Sequence, residues 1–247
     1  MHLSDYPQQP NLLLTGGSGL LGANLLRLAP WLQAPDHREF DLAKRSTMET
    51  YFKRHAVESV IHAAAFTSPP LVDERPMQAL EVNVAGTAHL VRLCHDAGAR
   101  LVYISTDYVF RGDRGQYRED DELLPQNRYA WSKLGGECAV RLYENSLIIR
   151  TSFCEPEFPY PKAFVDQYTS RDSVTAIAPL ILDLALDRDL TGIVHVGTER
   201  KTVKELALKL GRSDVGDLRR DEVSFNAPRD TSLDITRLKT IQESSKQ

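Results

Sequence analysis

A doubly wound α/β fold on a parallel sheet is what this sequence predicts, and three observations predict it. Short apolar runs that read as strands (11–14, 57–62, 100–105 and 146–150) alternate with segments of helical apolar spacing (20–28, 77–97 and 129–143). The strand-like runs are continuously apolar, as expected of strands covered on both faces. The first run ends in the glycine-rich turn Thr15-Gly16-Gly17-Ser18-Gly19-Leu20-Leu21-Gly22, and a helix pattern follows it directly.

In chain order, the run at 11–14 feeds the turn, and Pro30 stops the helix that begins at Leu20. Residues 31–40 are short and irregular and show no strand. A helix is expected over 47–55 and a strand over 57–62, followed by Ala63-Ala64-Ala65. The helix over 77–97 is closed by Gly98. After Phe153 the pattern changes. Three prolines in 155–161 force an irregular path, and 174–186 reads as a helix that Pro179 interrupts or kinks. A strand over 192–197 and a helix over 202–210, ended by Gly211, complete the elements, and the remainder is polar. Sites in such sheets lie beyond the carboxyl ends of the strands. The glycine turn, residues 62–65, Ser105-Thr106 and Thr151-Ser152 therefore converge on one edge.

At 247 residues the chain has room for one large domain, or one domain with a small lobe. A formal net charge of −4 argues against a nucleic-acid partner, which would need a basic face. Residues 1–10 lack the basic-then-apolar pattern of a secretory signal, and no apolar stretch is long enough to span a membrane. Cys94, Cys138 and Cys154 are widely spaced and odd in number, which suits free thiols in a reducing cytoplasm. No Cys/His spacing suggests a metal.

The glycines fit both GxGxxG and GxxGxxG. Glycine permits a tight turn and close approach of backbone to a pyrophosphate, and the following helix N-terminus offers N–H groups. A Rossmann-type dinucleotide site follows, with NADP or NAD as cofactor. Asp36, Glu39 and Asp41 compete for the ribose hydroxyls, with His37 and Arg38 between them. Downstream, Tyr129 and Lys133 stand one helical turn apart and share a face. A cation near a tyrosine favours its phenolate and so tunes it for proton transfer. A hydroxyl at the strand end, Thr106 or Ser105, is placed to hydrogen-bond the same substrate oxygen, which suits reduction of a carbonyl.

These residues resemble the extended short-chain dehydrogenase/reductase family. The motifs that carry the resemblance are TGGSGLLG at 15–22, Asp41-Leu42, HAAA at 62–65, NVAGT at 83–87 and YAWSK at 129–133. ISTDYVF at 104–110, the acidic loop at 117–120 and IRTSF at 149–153 are similar to the dTDP-4-dehydrorhamnose reductase branch. That branch reduces the 4-keto group of a deoxy-sugar on a nucleoside diphosphate, with NADPH or NADH. The resemblance implies Thr106, Tyr129 and Lys133 as the catalytic group. It implies Gly16, Gly19, Leu20, Leu21, Gly22, Arg38, Asp41, Leu42, Ala63, Ala64, Ala65, Ser105, Tyr129 and Lys133 along the cofactor, NADPH being favoured. Thr67, Thr106, Asp107, Tyr108, Phe153 and Arg229 would face a nucleotide-sugar substrate. Asn83 braces backbone, and His62 and His95 are scaffold. Residues 1–150 would form the NAD(P)-binding domain, which also receives the helix near 174–187. Residues 151–247 would be mostly a small substrate lobe.

The sequence departs from the family pattern at 31–40 and 154–162, where it is trimmed. Asn24 stands where a metal-linked dimer would use glutamate, so no metal is expected; a monomer or a homodimer remains open. Two other functions stay in view: an NAD-dependent epimerase or dehydratase, and a non-catalytic regulatory subunit that keeps the nucleotide-binding fold. A dehydratase would want a carboxylate pair, but Asp107 is followed by Tyr108.

Overall fold

The structure, a computed structural model, describes residues 11–225 and 227–244. The reading of residues 1–10 as no secretory signal lies outside them. The parallel sheet is present with five strands in the order β1 (Leu12–Thr15), β2 (Ser59–His62), β3 (Arg100–Thr106), β4 (Ser146–Thr151) and Gly192–Val196. Each strand is parallel to its neighbour, with register pairs such as Leu14 with Ile61 and Thr106 with Thr151. On the other flank of β1 the trimmed segment leaves a single bridge. Gln33 pairs with Leu13, and its backbone exchanges hydrogen bonds with Leu12 and Leu14 at 3.1 and 2.8 Å. The chain thus passes to one side of β1 at Gln33 and to the other at β2, so the reversal that creates a binding crevice falls at the end of β1.

The helices divide between the two faces. On one face α1 (Leu20–Leu28) packs with Val174–Leu186, burying Leu21, Leu25, Ile177 and Ile181 against Leu12, Leu14 and Ile149. On the other, α2 (Arg45–Arg54) supplies Met48 and Tyr51 to a core with Leu13, Leu90 and Tyr103. After a short α3 (Pro69–Glu74), the helix expected over 77–97 is segmented: α4 (Pro76–Ala79), a wide π-helical turn (Leu80–Gly86) and α5 (Thr87–Ala97). The buried Asn83 side chain explains the wide turn. It accepts from the Phe66 N–H at 2.7 Å and donates to Phe66 O at 3.0 Å and Ser132 Oγ at 2.8 Å. It therefore braces backbone, as its sequence position suggested.

α6 (Arg128–Val140) begins at Asn127, whose side chain caps the Ala130 N–H at 2.8 Å. Beyond β4, short ladders build a separate corner. β5 (Phe153–Cys154) pairs with β8 (Asp172–Ser173), β6 (Lys162–Phe164) with Gly216–Leu218, and β7 (Tyr168–Thr169) with Lys201–Thr202. Residues 155–161 form no regular element. α7 (Val174–Leu186) carries Pro179 inside without ending. The buried Arg100 reaches across from β3 to the Ala185 and Leu184 carbonyls at 2.6 and 3.3 Å, satisfying acceptors that the helix end leaves open. Then follow β9 (Gly192–Val196), β10 (Lys201–Thr202), α8 (Val203–Lys209), β11 (Gly216–Leu218) and α9 (Thr236–Ser244). The polar C-terminal stretch gave no sign of α9. It docks because Ile235, Leu238 and Ile241 recur every three residues and reach the core.

Candidate active site

A cleft of about 600 Å³ opens at the carboxyl edge of β1 and β2. Its floor is the glycine turn. Gly16 has φ of +78°, and a Cβ there would stand 2.7 Å from Ala64 backbone atoms. A Cβ at Gly22 would run into the Gly16 carbonyl. Gly16 and Gly22 therefore bring the turn, α1 and the 63–65 segment to backbone contact. The first turn of α1 has no side-chain cap and no acidic residue, so its N–H groups and positive end face the cleft uncompensated. This cradle fits a dinucleotide pyrophosphate. Leu20, Leu21, Asp41, Leu42, Ala63, Ala64, Ala65, Thr67 and Phe153 line the same cleft. Asp36 and His37 also line it, whereas the Arg38 side chain is exposed and ion-paired with Asp36 at 2.9 Å.

His62 fixes the rim from below. Its ring is buried between Thr15 Oγ1 at 2.8 Å and Thr87 Oγ1 at 3.0 Å, and Thr15 Oγ1 in turn accepts from the Ala64 N–H. Burial, reinforced by the Lys133 charge, drives its pKa down to about 3, so it is neutral scaffold. His95 is exposed on α5, where it meets Asp96 and stands edge-on to the Tyr143 ring.

The second cluster lies past Phe153, where β3, α6 and the turn before β8 meet. Thr106 is a buried residue at the end of β3, and its Oγ1 caps the following turn by accepting from the Tyr108 N–H at 3.2 Å. Tyr129, half-buried on α6, has its phenol held above its ordinary pKa by burial and by the Asp107 carboxylate; the Thr106 hydroxyl and the Arg171 cation pull it back. Lys133 is buried one turn on. Its Nζ donates to Ile104 O at 2.7 Å and sits 4.3 Å over the Tyr103 ring. Burial brings its pKa down to about 7, against the pull of Glu137. Thr106, Asp107, Tyr108 and Tyr129 are thus together, as the sequence suggested, with Lys133 beneath.

One expected cofactor contact falls elsewhere. The Ser105 side chain is buried and donates to Glu137 Oε2 at 2.7 Å, because adjacent residues of a strand point to opposite faces; its hydroxyl is turned from the cleft. The Arg229 side chain is exposed, while its carbonyl accepts from the Tyr168 N–H at 2.8 Å.

Three charged residues were not singled out in the sequence. Glu137 follows Lys133 by one turn and is fully buried, receiving Arg150 Nη2 at 2.8 Å, Ser105 Oγ, and Arg141. Burial pushes its carboxyl up, but Arg150, Ser105 and Arg141 outweigh that and hold it below its ordinary range. The i, i+4, i+8 spacing of Tyr129, Lys133 and Glu137 was a usable signal for Glu137. Arg150, inside a strand, offered none. Arg171 approaches from the turn before β8, with its Nε on Ser152 Oγ at 3.0 Å and Asp107 and Tyr108 as neighbours. Only tertiary structure brings it here.

Residues 10–178 match the family model described as the RmlD substrate binding domain. The dTDP-4-dehydrorhamnose reductase of Streptomyces griseus is 34% identical over 61% of this chain and 52% of its own length. The chain spans about half the length of the first curated reductases it matches. Methionine adenosyltransferase 2 subunit beta of Bos taurus is 27% identical over 93% of this chain and 82% of its own. The crystal structure of dTDP-4-dehydrorhamnose reductase from Bacillus anthracis in complex with NADP superposes with a TM-score of 0.84 at 25% identity, covering 96% of this chain and 93% of that one.

Proposed function

We propose, for a chain that belongs to the RmlD substrate binding domain family, that it is an NAD(P)H-dependent reductase of a 4-keto-deoxy-sugar nucleotide. One observation carries the reading. Thr106 and Asp107, where β3 ends, meet Tyr129 of α6, and Phe153, just past β4, lines the glycine cleft. In this reading Gly16, Gly19 and Gly22 hold the pyrophosphate, with Leu20 and Leu21 opening α1. Asp41 and Leu42 flank the adenine, and Ala63 to Ala65 run along the cofactor. The bound nicotinamide supplies the hydride. Tyr129 delivers the proton to the former keto oxygen, and Thr106 orients that oxygen. Lys133 offsets the charge that Tyr129 acquires. Asp107, Tyr108, Thr67 and Phe153 contact the sugar.

NADPH is the favoured cofactor, supported by the NADP-bound reductase from Bacillus anthracis. The short ladders and α8 after β4 form most of the substrate lobe. Free thiols at Cys94, Cys138 and Cys154 support a cytoplasmic setting. Among the described residues no helix is long and apolar enough to cross a membrane.

A second reading has its own support. The match to methionine adenosyltransferase 2 subunit beta covers 93% of this chain, more than the curated reductases cover. In that reading the fold serves as a subunit of another enzyme. A screen of NADPH and NADH oxidation against dTDP- and UDP-linked 4-keto sugars decides between the two. Oxidation with at least one of them is expected. No oxidation with any, by protein that still binds NADPH, would sink the reductase reading and favour the second.

A further inference from the structure

We infer that Arg171 binds an anionic oxygen of the substrate beside the reacting carbonyl, and so sets which sugar nucleotide the site accepts. The inference rests on the reductase reading above and deepens it.

The position of Arg171 follows from strand pairing. β5 and β8 are parallel with Phe153 opposite Asp172, so residue 171 arrives alongside Ser152. There its Nε donates to Ser152 Oγ at 3.0 Å, and its backbone N–H is held by Thr169 Oγ1 at 2.9 Å. The side chain is half-buried between Phe153, which lines the cofactor cleft, and the Thr106, Asp107 and Tyr129 group.

A guanidinium carries five N–H donors. Among the described residues, Ser152 and the Tyr108 phenol are its side-chain partners, which leaves the rest of the fork unclaimed. Asp107 is the nearby acid, with Thr106 and Thr231 as its hydroxyl neighbours, and no hydrogen bond within 3.5 Å reaches its buried Oδ2. Arg171 and Asp107 thus attract one another without a hydrogen bond between them, and each keeps hydrogen-bonding capacity in hand. The other buried cations of the cluster are already committed, Lys133 to Ile104 O and Arg150 to Glu137. A half-buried cation with open donors gains from an anionic partner, and a guanidinium fork matches a carboxylate or a phosphate through two parallel hydrogen bonds. Asp107 Oδ2 would take a ring hydroxyl on the opposite side.

Two parts of a sugar nucleotide offer such an oxygen: a carboxylate on the sugar ring and the diphosphate. Arg171→Met and Arg171→Lys, assayed with a neutral 4-keto-6-deoxy nucleotide sugar and with a 4-keto nucleotide sugar bearing a ring carboxylate, separate them. Loss of one charge-assisted contact raises KM about 10- to 100-fold in Arg171→Met, with kcat less affected and Arg171→Lys part-way back. A penalty confined to the carboxylate substrate identifies the carboxylate; an equal penalty with both identifies the diphosphate. Wild-type KM for every substrate in folded Arg171→Met overturns the inference, as does wild-type KM in Arg171→Lys if the methionine variant does not fold. If the wild type reduces none of the substrates, the reductase reading has failed separately. Calorimetric titration with a nucleotide sugar acid carrying both anions then decides: weaker binding by Arg171→Met supports the inference, and equal affinity overturns it.

Discussion

The glycine cleft and the tyrosine cluster lie at one sheet edge but are built from different material. The cleft floor comes from eight consecutive residues, Thr15 to Gly22, and is made of backbone. It has no buried charge of its own and depends on the absence of side chains. The tyrosine cluster draws on β3, α6, β4 and the turn before β8, and consists of side chains. It holds several buried or half-buried charges: Asp107, Lys133, Glu137, Arg150 and Arg171. The first region is specified by sterics within one turn. The second is specified by electrostatics among partners far apart in the chain. Damage should follow the same division, with cofactor affinity failing in one region and turnover, pH dependence and stability failing in the other.

The sharpest break comes from Tyr129→Phe. It removes one phenolic proton and leaves the glycine turn intact, so turnover should fall by about 10²- to 10⁴-fold. NADPH affinity, followed by fluorescence titration, should stay near wild type. Turnover within twofold of wild type would remove Tyr129 from the chemistry and favour the subunit reading.

Glu137→Gln tests the buried charges. Arg150 would keep its charge with its carboxylate partner gone, in a site where both side chains are fully buried. Breaking a buried pair from one side costs about 3–5 kcal/mol. Urea unfolding should show this as a large fall in midpoint, and an unchanged midpoint would mean that the pair contributes little.

Two glycines compare the regions directly. Gly16 and Gly98 both have positive φ, +78° and +66°, but only Gly16 is crowded, since nothing lies within 4 Å of a Cβ at Gly98. Alanine at either position should cost about 1–2 kcal/mol of stability through backbone strain. Only Gly16→Ala should also weaken NADPH binding, because its methyl group would displace the 63–65 wall. Equal NADPH affinity in the two variants would contradict the cradle.

The smallest effect is the pH dependence carried by Lys133, whose folded pKa of about 7 lies below its ordinary 10.5. Above about 7 the neutral amine no longer offsets charge on Tyr129, so kcat/KM should decline as pH rises through that value. The stability effect has the opposite sign. Between about 7 and 10.5 the unfolded chain binds the extra proton, so this residue's contribution to folding stability rises with pH across that window. Comparing wild type with Lys133→Met in denaturant melts at several pH values checks it; parallel curves would show that Lys133 stays charged when buried.

Much of this was legible in the sequence, for reasons specific to each element. The strands over 12–15, 59–62, 100–106 and 146–151 were visible by their apolar centres, since burial on both faces favours apolar residues there. Trimming at 31–40 predicted the loss of a full strand, and one bridge at Gln33 is what remains. The segmentation of 69–97 was hidden because the wide turn is stabilised by Asn83 bonding to Phe66 and Ser132, partners that spacing alone cannot supply. α9 was hidden by its polar majority, although its three isoleucine and leucine anchors were present.

By itself the sequence determined the α/β architecture, the glycine cradle and the Tyr129–Lys133 pair. These depend on periodicity and spacing within a few residues, and such local geometry is written in the order of the chain. Tertiary structure alone decided that Ser105 turns to Glu137, that Arg150 neutralises that carboxylate, and that Arg171 arrives beside Ser152 with donors to spare. A buried charge is defined by what surrounds it, and the residues that surround these come from segments that only folding brings together.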